Sequence, residues 1–334
     1  MKKSYHLLAA LAAALALDLA SAQGAAQAPS GGAASKPVAW KRVEAIDIAA
    51  FNKDLVPGKP TIDVAVYYPS NFDPAFNKMT LPRMMESIQS AKEIFRPAGV
   101  QLNLLWVKTG AVNPSFLSIQ ANEIPRVPET EYANSYESMR RHPSQLTDLA
   151  RNAFESIVEP DKDNTRTIYL VALQDVFFPF LEVSEGRNWT IKMVRTGGLS
   201  FPTYSYHNTM PAALRGVITI TNLSRPDRYR RTVAHEIGHK VMNVSHEYKT
   251  TDPAHEVYAE GGLMLYGQGE DIPGGAEGRW HLERLHMSPF VYRLGSDGKK
   301  QWNPDYKEGG HYYDALYGDK VIRFGGQPKI GENW

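Results

Sequence analysis

The sequence predicts an α/β chain built on a mixed sheet, and two observations carry that prediction. Strand-like and helix-like patterns alternate along most of the 334 residues, the order that gives a sheet covered by helices. One helical pattern begins directly after a strand-like run and contains His235, Glu236 and His239, in the stretch HEIGHKVMNVSHE at 235–247.

The elements follow in order. Thr61 to Tyr68 (TIDVAVYY) is β-branched and aromatic and reads as a strand. Met79 to Phe95 has a helical period, with Met84, Met85, Ile88, Ala91, Ile94 and Phe95 on one face, and Pro97 and Gly99 stop it. Val100 to Val107 is a second strand, Gln145 to Val158 a second helix, and Thr167 to Leu173 and Val217 to Thr221 are further strands. Residues 110–143 are rich in turn formers and give no clear element. Residues 174–215 carry aromatics, glycines and prolines. Within them Arg195 to Phe201 (RTGGLSF) reads either as a strand at a sheet edge, where an extended peptide can add, or as a loop crossing the sheet.

The HEIGH helix has its own start signals: Ser224 as N-cap, Pro226 in the first turn, and Asp227 three residues after the cap. Val233, Ile237 and Val241 form an apolar stripe, and the histidines lie on another face. Four-residue spacing puts His235 and His239 one turn apart on that face, where one divalent ion can bridge them with Glu236 beside it. Two nitrogen ligands, a neighbouring carboxylate base and room for water are the arrangement of a zinc peptidase. A third histidine, His246, lies seven residues beyond the second.

Composition sets the setting. Lys2 and Lys3, the Leu/Ala-rich run Leu7 to Ala20 and the small residues Ala20-Ser21-Ala22 read as a signal peptide over 1–22, which implies export to the periplasm or the medium. Residues 23–37 read as a flexible linker, 38–294 as the catalytic domain, and the Gly- and Tyr-rich stretch 295–334 as an extension without an assigned role. No later run reaches the ~20 apolar residues of a membrane span, so stable membrane insertion is not expected. Losing residues 1–22 equalises the acidic and basic counts, which gives no reason to expect nucleic acid as a partner. With no cysteine, the chain has neither disulfides nor a thiolate zinc site, and it depends on its hydrophobic core.

These residues resemble the metzincin clan of zinc metallopeptidases, whose pattern H-E-x-x-H-x-x-G-x-x-H is followed by a methionine turn. Gly262-Leu263-Met264-Leu265-Tyr266-Gly267 matches that turn, and its Met-x-Tyr, like His246-Glu247, is similar to the astacin and serralysin groups. The resemblance implies a twisted mixed sheet with an edge strand, two helices above it, the HExxH helix under it, and an irregular lower subdomain with the methionine turn. It implies one catalytic Zn²⁺ held by His235, His239 and His246, with Glu236 as general base in peptide hydrolysis. It implies Met264 as a floor beneath the ion, and Tyr266 as a hydroxyl ligand or oxyanion stabiliser. On its residue type alone Tyr266 is equally a buried aromatic.

The chain departs from the clan pattern in one respect. Six residues, not five, separate His239 from His246, and Met242 stands where the turn glycine is expected. Asn243 follows, and asparagine tolerates the left-handed cap better than other non-glycine residues. The expectation is a helix one residue longer that ends at Asn243. The extra residue rotates the exit by ~100°, so Asp252, His255, Glu256 and Glu260 remain competitors for the third ligand position. A peptide or protein is the expected substrate. A zinc-dependent hydrolase of a non-peptide bond and a non-catalytic binding protein stand as alternatives. Oligomeric state is not legible.

Overall fold

The computed structural model describes residues 38–124, 144–159, 166–184, 188–202, 206, 210–222, 229–243, 262–264, 271–272, 279–302, 311–314 and 320–323. The strands in chain order are β1 (Lys41–Arg42), β2 (Thr61–Pro69), β3 (Gln101–Gly110), β4 (Ser118–Gln120), β5 (Ile168–Ala172), β6 (Asp175–Ser184), β7 (Asn188–Thr196), β8 (Gly198–Ser200), β9 (Val217–Ile220), β10 (Val291–Leu294), β11 (Lys300–Trp302), β12 (His311–Asp314) and β13 (Lys320–Arg323). The α-helices are α1 (Ile48–Asn52), α2 (Leu81–Phe95), α3 (Asp148–Ile157), α4 (Tyr229–Met242) and α5 (Arg279–Met287).

The main sheet is mixed and runs β1-β3-β2-β5-β9-β8. Strands β3, β2, β5 and β9 are parallel, while β1 and β8 close the two ends antiparallel. The chain is therefore an α/β protein with a mixed sheet, as the alternating pattern predicts. Strand β2 is buried on both faces, with Ile62, Val64 and Val66 in one core and Ala65 and Tyr67 in the other. That two-sided burial is why its sequence reads as a continuous apolar run.

Helix α2 forms where the period predicts. Thr80 is its N-cap and Pro82 lies in its first turn. A 3-10 turn over Arg96–Ala98 follows, and Gly99 at φ 73° ends it in the left-handed region that glycine enters without cost. Helix α3 starts from Thr147, whose hydroxyl accepts from the Ala150 N–H at 3.0 Å.

The helix layers differ from the expected arrangement. Helices α2 and α4 share one face of the sheet, packing Met84, Ile88 and Phe95 with Val233, Ile237 and Val241 into a single core. Helix α3 covers the other face with Ala150, Phe154 and Ile157. The expected pair of helices above the sheet with the HExxH helix below is thus corrected. The physical reason is the strand order. The crossover from β2 to β3 moves toward the β1 end, and the one from β3 to β5 returns past β2. Right-handed crossovers running in opposite directions place their helices on opposite faces.

Several elements go beyond the predicted set. Strands β6 and β7 form a long hairpin that, with β4, makes a separate three-stranded sheet. Strands β10 and β11 form another hairpin, pairing with Thr61 and Ile62 of β2 where β5 has not yet begun. This hairpin spans position 295, so residues on both sides of it belong to the main sheet. Its seat is a buried polar cluster, in which Asp63 accepts from the Tyr292 hydroxyl at 2.7 Å and from Asn103 Nδ2 at 2.8 Å and pairs with Lys300. Among the described residues no helix is long and apolar enough to cross a membrane.

The layer assignment is testable. Phe154 is fully buried under α3, on the face away from α4. Phe154→Ala is expected to cost about 3–5 kcal/mol in urea unfolding. A cost under about 1 kcal/mol contradicts its place in the core beneath α3.

Candidate metal centre

Helix α4 places the sequence-predicted residues by the geometry of one turn. Its apolar stripe is buried as predicted, with Val233, Ile237 and Val241 at 0 % exposure. That fixes the opposite side of the helix toward Leu263 and Met264, while Glu236, beside the stripe, meets β8. The rings of His235 and His239 lie 4.6 Å apart between centroids, with planes at 82°. The helix ends at Met242, and Asn243 follows at φ 50°, the sole non-glycine residue with positive φ among those described. The one-residue extension and the asparagine turn inferred from the sequence are both present.

His235 and Glu236 are each set by a partner from another segment. His235 Nδ1 lies 2.8 Å from the Leu263 carbonyl oxygen. A carbonyl only accepts, so Nδ1 carries the proton and Nε2 keeps its lone pair for a metal. Arg231 Nη2 donates to the same carbonyl at 3.1 Å. Desolvation pulls the His235 imidazole down to about 4, assisted by the Arg231 charge and opposed by the Leu263 hydrogen bond. The ring is therefore neutral near pH 7, the form that ligates.

Glu236 lies against the edge strand β8. Burial pushes its carboxyl up to about 8, against the opposing pull of a backbone hydrogen bond from Ser200. A Cβ added to Gly198 would meet Glu236 Oε1 at 2.6 Å, so only glycine lets β8 and the carboxylate come this close. A carboxylate in an apolar setting stays protonated until a cation nearby restores its charge.

Met264 packs against helix α4 at Gly238. It is fully buried, and a Cβ added to Gly238 would meet its sulfur at 2.5 Å. The glycine inside HEIGH is thus what lets the Leu263–Met264 turn close on the helix between the two histidines.

Lys240, immediately after the second histidine, is also buried. It reaches across to donate from Nζ to the Phe201 carbonyl at 2.6 Å. Burial holds its ammonium well below the usual lysine range.

His235, Glu236 and His239 are brought together. Tyr266, His246 and its competitors Asp252, His255, Glu256 and Glu260 lie outside the described residues, as do Ser224 and Pro226. Among the described residues no cluster of three metal-ligating side chains forms. The donor set that is described fits zinc in kind: imidazole nitrogens on one helix, one with its tautomer fixed, and a buried carboxylate alongside. Neither Gly198, Ser200, Lys240 nor the Leu263 carbonyl stands out in the sequence as part of this site. The Gly-Gly pair in RTGGLSF and the glycine inside HEIGH are the signals that could have marked two of these contacts. His281, on α5, is fully buried.

No protein-family model matches the chain, and no curated protein matches it.

Two predictions follow from close approach and from burial. Gly198→Ala and Gly238→Ala each force an atom into a filled space, and each is expected to cost about 1–3 kcal/mol in urea unfolding. A cost under about 0.5 kcal/mol for both contradicts the two contacts. For pH, the folded-state value of Glu236 lies above its unfolded value of 4.5. Its contribution to stability is therefore full below about 4.5 and is lost as pH rises through about 8. Metal-free Glu236→Gln should gain in Tm relative to the wild type as pH goes from 5 to 9. A difference that stays constant over that range contradicts the burial of an ionisable carboxyl there.

Proposed function

We propose that the chain is an exported zinc-dependent endopeptidase of the metzincin type, with His235 and His239 as ligands and Glu236 as general base. The observation that carries this reading is the convergence on one helix of two imidazoles, that of His235 neutral-poised, and a buried carboxylate, backed by Leu263 and Met264. A bound zinc ion supplies Lewis-acid activation of water and of the scissile carbonyl. Glu236 accepts the proton of the attacking water and delivers it to the leaving amine. Its raised affinity for a proton in a buried setting suits both transfers, because the same group must take the proton and then release it. His235 is held by the Leu263 carbonyl so that Nε2 faces the site throughout.

His246 is proposed as the third ligand, supported by the turn at Asn243, which restores the G-x-x-H spacing one residue late. Asp252, His255, Glu256 and Glu260 remain its competitors. Tyr266 is proposed to stabilise the developing negative charge, on the strength of the Met-x-Tyr sequence. Strand β8 lies at the end of the sheet beside Glu236, which supports an extended peptide as substrate. Export is proposed from the 1–22 pattern.

Hydrolysis of a non-peptide bond uses the same chemistry and is separated by assaying casein and a peptide library. A purely binding role would not need a carboxylate at 236.

Glu236→Gln is expected to keep its zinc and to lose peptide hydrolysis by about 10²–10⁴-fold. A zinc-loaded variant that cleaves casein at the wild-type rate overturns the assignment.

A further inference from the structure

Lys240 is a buried cation-bearing side chain within the HEIGH helix that the proposed chemistry does not use. Side chains four apart on a helix share a face, and Glu236 and Lys240 are such a pair. Both meet the same edge strand and the residue after it. Glu236 takes the N–H of Ser200, and Lys240 Nζ gives a hydrogen bond to the carbonyl of Phe201 at 2.6 Å. One side chain of the helix thus accepts from, and the other donates to, peptide units two apart at the end of β8.

The register of β8 explains why these groups are available. The Thr221 N–H donates to the Gly197 carbonyl at 2.9 Å, and Leu199 pairs with Thr219. Bonded pairs in an antiparallel ladder alternate, so they fall at 197–221 and 199–219. Ser200, opposite Ile218, occupies a non-bonded position and directs its N–H away from β9. The Glu236 carboxylate satisfies that outward N–H, and Lys240 fixes the peptide unit two further along, through the Phe201 carbonyl. The Lys240 ammonium also lies 5.9 Å from the centre of the Phe201 ring, which packs against Phe154 and Tyr206 in the far core.

We infer that Lys240 is a positioning residue for Glu236: by gripping the Phe201 carbonyl it holds the Ser200 N–H at the carboxylate and so fixes the base relative to the edge strand. The catalytic part of this inference rests on the reading of Glu236 as general base. The structural part, a two-point clamp between α4 and the end of β8, does not. A buried lysine is costly to maintain, and a fixed peptide unit beside the base gives it a use, because small displacements of catalytic groups cost large factors in rate.

The test is amide hydrogen exchange on the full mature chain, read at Ser200, together with peptide hydrolysis by zinc-loaded protein. Lys240→Met keeps an unbranched side chain of similar length and removes the donor. Lys240→Arg keeps a donor. In the Met variant the Ser200 amide should exchange at least about tenfold faster than in the wild type. Amides in α2, zinc content and KM should stay within about twofold, while kcat falls about tenfold or more. The Arg variant should restore Ser200 protection and most of kcat. A folded Met variant with wild-type Ser200 exchange overturns the inference, as does equal loss in the Met and Arg variants.

If the Met variant does not fold, the wild type decides. Ser200 should exchange in step with the amides of α4, since the clamp joins them. Exchange at Ser200 more than about 100-fold faster than in α4 overturns the clamp. Retained hydrolysis by Glu236→Gln would remove the peptidase reading and leave the exchange result standing, so the two failures are distinguishable.

Discussion

The site depends on how closely helix α4 is gripped by two unrelated segments. On one side Gly198 brings β8 against the Glu236 carboxylate, and on the other Gly238 brings the Met264 sulfur against the helix. The Leu263 carbonyl, one residue before that methionine, fixes the His235 ring at 2.8 Å. A helix alone would present two histidines and a glutamate as mobile surface side chains. Held between β8 and the Leu263–Met264 turn, Glu236 and His235 are each fixed by a named partner. The apolar stripe on the far side completes the constraint by locking the helix rotation against α2. Preorganisation of this kind is what lets a few polar groups act on a substrate without first reordering themselves.

The same packing sets the electrostatics. Burial raises Glu236 to about 8 and lowers His235 to about 4, so both groups favour their neutral forms in the metal-free protein. Neutral imidazole is ready to bind a cation, and a carboxyl with a raised value has charge to gain when one arrives. On the proposed reading, burial of Glu236 links metal binding to proton release. It also explains why a polar constellation is tolerated against a core that includes Val233, Ile237 and Val241.

Much of this was legible in the sequence, and the rest was not for identifiable reasons. The central strands and helices α2 and α4 were readable because their periods are long and unbroken. The asparagine turn at 243 was readable because few residue types accept positive φ. The side of the sheet taken by each helix was not readable, because it depends on the order in which the strands are laid down, and strand order is a long-range property. The β6–β7 hairpin could have been found, since two apolar, β-prone runs flank Ser-Glu-Gly-Arg-Asn at 184–188, a hairpin signal obscured by the density of aromatics. Lys240 gave no local cue, because its partner, the Phe201 carbonyl, lies 39 positions away in the chain.

We propose that His235 and His239 hold a zinc ion together with a third ligand. X-ray absorption at the zinc edge, with metal analysis of the mature wild type and of His246→Ala, decides this. The expected result is one zinc per chain in the wild type, a coordination shell containing at least two imidazoles, and loss of one imidazole with weakened retention in His246→Ala. A wild-type protein that binds no zinc after reconstitution, or a zinc shell without imidazole nitrogen, refutes the proposal.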